Sequence, residues 1–413
     1  SEYDLEYLER IKDLADRLNC YVPENRIKKL LSCYAWADDP TTKEEIRETI
    51  DTLLSLYLPK LVFAEKPLYK HPLKEKFSDD AAFILGKVID GGIGLFDFGL
   101  SMNDFSLGPL MIAARTGHGK TTILMSLVSK LLENNIPFLI MDFKLDFRNM
   151  IKRYPQLFVL SWKDLRVNLL KQPPGVTFDE WKQLFLNIFG TSEGAWSAST
   201  QFLLRFLDQV HEKKGEKASI IDLYKMMCDS PPNLRRMQDY WSVVETRLNG
   251  LISKLKTVVA CEEGIDIEKL LNHGVVLELD GMSYEDQTLI VLFFFYWIYS
   301  YRKAQRQRGK ALHFLIIDEA KRVWPASDEF NSTTREFSHI PPADNALFLL
   351  SRSLLAQAYA KVIGCVSGDD LNIACDKLNL DDEWREIVSE LDRGEWLVKL
   401  SSRYTKPFLI KSN

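Results

Sequence analysis

Two glycines, a lysine and three threonines fall within the segment Ala113-Ala114-Arg115-Thr116-Gly117-His118-Gly119-Lys120-Thr121-Thr122. Read from Ala114, the pattern is a small residue, four variable positions, Gly-Lys, then a hydroxyl residue, with alanine where glycine is commoner. Such a loop turns backbone N–H groups inward around the β- and γ-phosphates of a nucleotide, and its lysine and hydroxyl complete the cradle. A helix directly after it adds the positive end of its dipole. The candidate nucleotide contacts are therefore Ala114, Arg115, Thr116, Gly117, His118, Gly119, Lys120, Thr121 and Thr122.

A second group of chemical residues closes the apolar run His313-Phe314-Leu315-Ile316-Ile317-Asp318-Glu319-Ala320. Magnesium prefers hard oxygen ligands and keeps several waters, so one carboxylate beside the phosphates suits it. In this reading Thr121 supplies the hydroxyl ligand and Asp318 the acidic side of an Mg²⁺ site, while Glu319 orients and polarises the water that attacks ATP.

These residues need particular elements to carry them. The run before the loop is apolar, and Ile123, Leu124, Leu127, Val128, Leu131 and Leu132 recur at helical spacing after it, which predicts strand, loop and helix in that order. Further strands are expected over Leu110 to Ala114, Pro137 to Met141, Leu157 to Leu160, Val275 to Leu279, Phe314 to Ile317, Ala346 to Leu350 and Glu395 to Leu400. Short apolar runs alternating with helical stretches predict an α/β fold whose central sheet is mainly parallel and covered on both faces. Residues 1–58 read as a small helical domain, with Pro40-Thr41-Thr42-Lys43-Glu44-Glu45 as a helix start. Residues 59–76, with Pro59, Pro67 and Pro72, read as a linker. The ATPase domain is expected over 77–413, interrupted by a helical insertion at about 176–262.

Bulk composition narrows the partners. The chain has 413 residues, is 46% hydrophobic and carries a formal net charge of −5, so contact with nucleic acid must be local rather than spread over the surface. Six cysteines stand without any C-x-x-C pair, as in a reduced cytoplasmic protein. No signal peptide is expected. Leu289 to Tyr299 is strongly apolar but too short for a bilayer, which needs about 20 residues, so it predicts a buried helix and no membrane anchor. The basic stretch Tyr301 to Lys310 reads as a solvated helix end, and Gly190 to Ser197, containing Trp196, as a loop that either projects into a ring pore or simply joins two helices.

The order of these pieces resembles the HerA/FtsK superfamily of motor ATPases, closest in layout to the HerA-type helicase domain, with type IV coupling proteins as cousins. Gly92-Ile93-Gly94-Leu95 is similar to the family's lead-in to the phosphate loop, and Ile140-Met141-Asp142-Phe143-Lys144 to its second strand. Val167-Asn168-Leu169-Leu170 resembles an Asn-Pro-Leu signature in which Leu169 replaces proline. Gly274 to Leu279 matches the strand before the Asp318-Glu319 strand, and Leu391-Asp392-Arg393-Gly394-Glu395-Trp396 the closing one. The resemblance implies a RecA-like P-loop fold, ATP hydrolysis, a ring with the hexamer favoured, movement along double-stranded DNA, and a separate nuclease or effector partner in end processing or anti-phage defence.

Two departures stand out. Where the family places a γ-phosphate-sensing glutamine, this chain has Arg352, whose planar fork suits phosphate oxygens in cis. Arg335 is the candidate for the arginine finger offered to a neighbouring subunit, and an ordinary surface arginine is the competing reading. The family's usual N-terminal barrel has no counterpart. An ATP-dependent assembly scaffold without translocation, and a conjugation or secretion motor, are the alternative functions.

Overall fold

The computed structural model describes residues 26–37, 39–62, 71–72, 82–193, 197–306, 312–318 and 358–412, with isolated positions at 8, 11, 12, 15 and 74. Helix α1 (Arg26–Trp36) and helix α2 (Pro40–Val62) pack through Ile27, Leu31, Tyr34, Ile50 and Leu54, joined by Ile11 and Ala15, into a buried cluster of their own. Asp39 caps α2: its carboxylate accepts from the backbone N–H and the hydroxyl of Thr42, each at 2.9 Å. The expected linker boundary at residue 59 is too early, because α2 continues to Val62.

Strands β1 (Phe83–Asp90) and β2 (Ile93–Leu100) form a hairpin across Gly91 and Gly92, whose φ values are 55° and 85°. A two-residue turn with both central residues left-handed matches strand twist, and glycine enters it without strain. Helix α3 (Met102–Leu107), capped by Ser101 and Asp104, leads into β3 (Leu110–Ala113), which precedes the phosphate loop and α4 (Lys120–Glu133). All six apolar positions read from α4 are buried. The six-stranded sheet runs β2-β1-β10-β9-β8-β3, with β8 at Ala360–Ile363, β9 at Glu395–Leu400 and β10 at Phe408–Lys411. Among the described residues, only β3 and β8 pair in parallel within it. The four-stranded sheet runs β5-β6-β4-β7 and is parallel throughout, with β4 at Phe138–Asp142, β5 at Phe158–Ser161, β6 at Gly274–Glu278 and β7 at Phe314–Ile317. The fold is thus the expected α/β one, but its sheet system is more mixed than the sequence implied.

Between the sheet strands, α5 (Phe178–Glu193), α6 (Ser197–Phe202), α7 (Leu204–Lys214), α8 (Ile220–Asp229), α9 (Arg235–Val259) and the short α10 (Ile267–Leu270) occupy the helical stretch. Trp181, Phe185, Phe189, Phe206 and Leu207 pack against Leu289 to Ile298 of α11 (Tyr284–Ala304) in one cluster, with the Trp181 and Phe293 rings edge-on at 6.0 Å. The most apolar stretch of the chain is therefore a buried helix, and no helix among the described residues is long and apolar enough to cross a membrane. The expected loop at Gly190 is corrected: α5 continues through Gly190 to Glu193, held by burial of Ile188 and Phe189. Tertiary packing overrides the modest cost of a helical glycine there. Trp196 lies outside the described residues.

Asn168 fastens this helical block to the sheet. Its buried amide donates to the carbonyls of Ala218 and Glu262, both at 2.9 Å, and its own oxygen accepts from Leu170 N–H at 3.0 Å. Backbone bonds from Val167 to Val258 (2.8 Å) and from Ile265 to Arg166 (2.7 Å) close the same junction. A Cβ at Gly264 would lie 2.9 Å from three backbone atoms of residues 166–168, so only glycine fits. Finally, α12 (Asp369–Leu378) and α13 (Asp382–Glu390) cover one face of β8 and β9 through Leu378, Trp384 and Val388.

Candidate nucleotide site

The phosphate loop starts from a fixed point. Gly364 N–H donates to Ala113 at 2.8 Å and Arg115 N–H to Cys365 at 3.0 Å, so the β3–β8 pairing continues past the strand ends. Ala114 is buried, while Arg115, Thr116 and Gly117 are exposed. Gly117 (φ 82°) and Gly119 (φ 113°) are left-handed, the conformation that glycine enters at least cost. A Cβ on Gly117 would meet nothing within 4 Å, which marks the open side of the loop. Gly119 caps α4, Lys120 is its first residue, and Thr121 and Thr122 complete the first turn, where helical N–H groups lack intrahelical partners.

His118 points the other way. Its ring is buried, with Nε2 2.7 Å from the Glu395 carbonyl and its plane edge-on to Trp396 at 4.7 Å. A carbonyl has no proton to offer, so Nε2 carries it and donates. The Cys365 N–H at 3.4 Å from the same nitrogen then has no lone pair to use. Burial holds His118 below the usual imidazole range, outweighing the bond to the Glu395 carbonyl, which raises it, and the Arg115 charge adds a smaller lowering.

At the neighbouring edge, Asp142 ends the wholly buried strand β4. Its carboxylate accepts from the N–H groups of Lys144 (3.0 Å), Asp146 (3.3 Å) and Phe147 (3.1 Å), and so folds the turn after the strand. Leu145 in that turn has φ 63°. Asp146 is pushed above the ordinary carboxylate range, by burial first and then by the Asp142 charge, while Lys144 and Lys120 pull it back. The phosphate-loop lysine thus lies within electrostatic reach of this turn. Met141 and Ile317 are paired across β4 and β7, so Asp142 and the buried Asp318 follow them at one sheet edge. Ile316 shares a buried cluster with Ile112, Ala114, Ile123 and Leu127, which joins the Asp318 strand to the loop and its helix. One strand further on, buried Glu278 takes a two-pronged bond from Arg148 at 2.8 and 2.6 Å.

Glu319, Arg335 and Arg352 lie outside the described residues, as does the expected strand Ala346 to Leu350. Three participants escaped the sequence reading: the Gly364-Cys365 rail, the Glu395 carbonyl, and the turn-forming role of Asp142. Only the last had a signal, a carboxylate closing an all-apolar run.

The family model described as the central domain of the helicase HerA matches residues 85–298, just over half of the chain. The chain belongs to the HerA central-domain family. No curated protein matches it. Among solved structures it is similar to VirB4 of Thermoanaerobacter pseudethanolicus, at 15% identity and a TM-score of 0.64, over 82% of this chain and 98% of that one. It is also similar to the plasmid coupling protein TrwB in complex with the non-hydrolysable ATP analogue ADPNP, at 11% identity and 0.56, over 75% and 86%. TrwB in complex with ADP and Mg²⁺ aligns at 12% identity and 0.54, over 79% and 89%. At these identities the likeness establishes the fold, that of a RecA-like P-loop ATPase. Within this HerA-family fold the residues fit ATP and Mg²⁺: an open glycine cradle, a lysine at a helix start, a hydroxyl in the first turn, and a buried carboxylate at the end of β7.

Proposed function

We propose that this HerA-family protein is an ATP-hydrolysing motor that assembles as a ring, most simply a hexamer, on double-stranded DNA in the cytoplasm. A separate nuclease or effector completes its work, in DNA end processing or anti-phage defence. The observation that carries the ATP reading is the loop itself, with Gly117 and Gly119 left-handed and Lys120 opening a 14-residue helix. Backbone N–H groups and Lys120 bind the β- and γ-phosphates, and Thr121 with Asp318 would hold Mg²⁺, which supplies charge neutralisation. Glu319 orients and polarises the attacking water, Arg352 steadies the γ-phosphate within its own subunit, and Arg335 reaches a neighbour's nucleotide. An active site finished by a neighbour makes the contact head-to-tail, and a head-to-tail contact that closes is a ring.

The test measures ATP hydrolysis with and without linear duplex DNA, together with particle images under the same conditions. The expected result is DNA-stimulated hydrolysis by rings, abolished by Lys120→Ala. Hydrolysis and assembly indifferent to DNA would turn the reading to a scaffold, and unchanged ATP affinity in Lys120→Ala would refute the loop assignment.

A further inference from the structure

His118 occupies a variable position of the phosphate loop, yet its side chain turns away from the nucleotide face into the protein. The slot that receives it is built by residues far along the chain. Gly364 forms one wall, and a Cβ there would sit 2.2 Å from the imidazole Cδ2 and 2.6 Å from Nε2. The edge-on indole of Trp396 forms another, and a Cβ on Gly119 would lie 3.7 Å from it. The Glu395 carbonyl closes the slot at 2.7 Å from Nε2. The backbone reinforces the side chain, because Gly394 N–H donates to the His118 carbonyl at 3.3 Å. Beyond Trp396 the contact continues to the last strand: indole Nε1 donates to Ser412 Oγ at 3.3 Å, and Ser412 N–H donates to the Gly394 carbonyl at 2.8 Å.

We propose that His118 is the positioning residue of the phosphate loop: its Nε2–H bond to Glu395 O holds the loop in the phosphate-binding shape and makes the 394–396 segment and the end of β10 part of the nucleotide site. The physical reason is the loop's own softness. A turn with two left-handed glycines loses much conformational freedom when it is ordered around an anion. A buried tether between those glycines has removed that freedom before the nucleotide arrives, which raises affinity. The tether also gives the loop a mechanical partner, since any shift of β9 against β8 moves the acceptor of the bond. His118 touches no phosphate, and it acts through Gly117 and Gly119.

The inference rests on the loop being an ATP site, and the experiment separates the two. ATP affinity is titrated for wild type, Lys120→Ala, His118→Gln, His118→Met and Gly364→Ala, with thermal melts as a control on folding. Glutamine places an N–H donor at nearly the reach of Nε2, whereas methionine matches its length without a donor. His118→Met is expected to bind ATP about tenfold more weakly, the order of one net hydrogen bond, with kcat at saturating ATP changed much less. His118→Gln should recover most of the affinity. Gly364→Ala, whose Cβ would lie 2.6 Å from Nε2 and 2.7 Å from the Ala114 Cβ of the loop, displaces the ring with His118 intact and should bind at least as weakly as His118→Met. Wild-type affinity in His118→Met, or equal losses in the glutamine and methionine variants, would overturn the tether. Should His118→Met fail to fold, affinity in His118→Gln and Gly364→Ala decides: glutamine well below wild type, or alanine equal to it, overturns the tether. Failure of wild type itself to bind ATP, or Lys120→Ala binding normally, would instead refute the ATP reading.

Discussion

Asp142→Asn tests whether one carboxylate builds the turn beside the phosphate loop. In wild type, one oxygen accepts from Lys144 and Asp146 and the other from Phe147. Asparagine keeps an acceptor on one side only. With its oxygen toward Lys144 and Asp146, its NH₂ confronts the Phe147 N–H, donor against donor, at a buried position. An unsatisfied buried donor costs about 1–3 kcal/mol. The two surviving bonds also lose their charge assistance, which accounts for about 1 kcal/mol more. Relief of the repulsion on Asp146 returns part of this, so a net loss of about 2–3 kcal/mol is expected. Urea unfolding followed by tryptophan fluorescence measures it, and ATP titration should show weaker binding, because Asp146 of this turn lies within electrostatic reach of Lys120. The Asp146 carboxyl should titrate lower than in wild type, since a neighbouring negative charge is gone. An Asn variant with wild-type midpoint and ATP affinity would refute the reasoning.

Glu319→Gln should bind ATP and retain it, with turnover reduced by about two orders of magnitude in single-turnover assays, the scale of lost proton-transfer assistance. Arg352→Ala should slow hydrolysis while leaving ADP binding intact, and doping such rings with Lys120→Ala subunits should restore nothing. Recovery would move Arg352 to the subunit boundary. Among the described residues, His313 Nε2 is buried without a hydrogen-bond partner, and burial pushes the imidazole down to about 3. The unfolded chain therefore takes up a proton below about pH 6.5 that the folded chain refuses, and stability falls by about 1.4 kcal/mol per unit until pH nears 3. His313→Leu should lose about 2 kcal/mol less than wild type between pH 7 and 5, and equal losses in urea midpoints would count against a buried neutral imidazole.

The parts of this fold that could be read in the sequence are those where one physical signal dominates. The phosphate loop is fixed by glycines that must be left-handed, α4 by six apolar residues on one face, and β4 and β6 by uninterrupted apolar runs. Strands β1 and β2 were missed because register irregularities at Ile84/Gly86 and Lys87/Ile89 break the period of two. In β8 and β10 a lysine interrupts or ends each four-residue run. Lys361 is buried nonetheless, its amine donating to the Ala358 carbonyl. The extension of α5 through Gly190 was hidden because its helicity comes from partners on α11 rather than from its own residues. Within the site, the Lys120 loop and the Asp318 strand were legible as local motifs. The contact between His118 and Glu395 was not, because it joins positions 277 residues apart through a backbone carbonyl, which any residue type provides.

The junction at Asn168 has a consequence for how such a chain can change over time. The segment beyond Leu170 departs from the sheet and comes back at Glu262, and a single amide grips both Ala218 within it and Glu262 at its return. Departure and return share one doorway. Loops between the helices of that segment can therefore lengthen or shorten in descent, whereas α5, which shares one core with Leu139, Met141, Leu277 and α11, cannot be trimmed without disturbing the strands that carry Asp142, Glu278 and Asp318. The doorway itself, with Gly264 packed against residues 166–168, is the part that leaves no room for change.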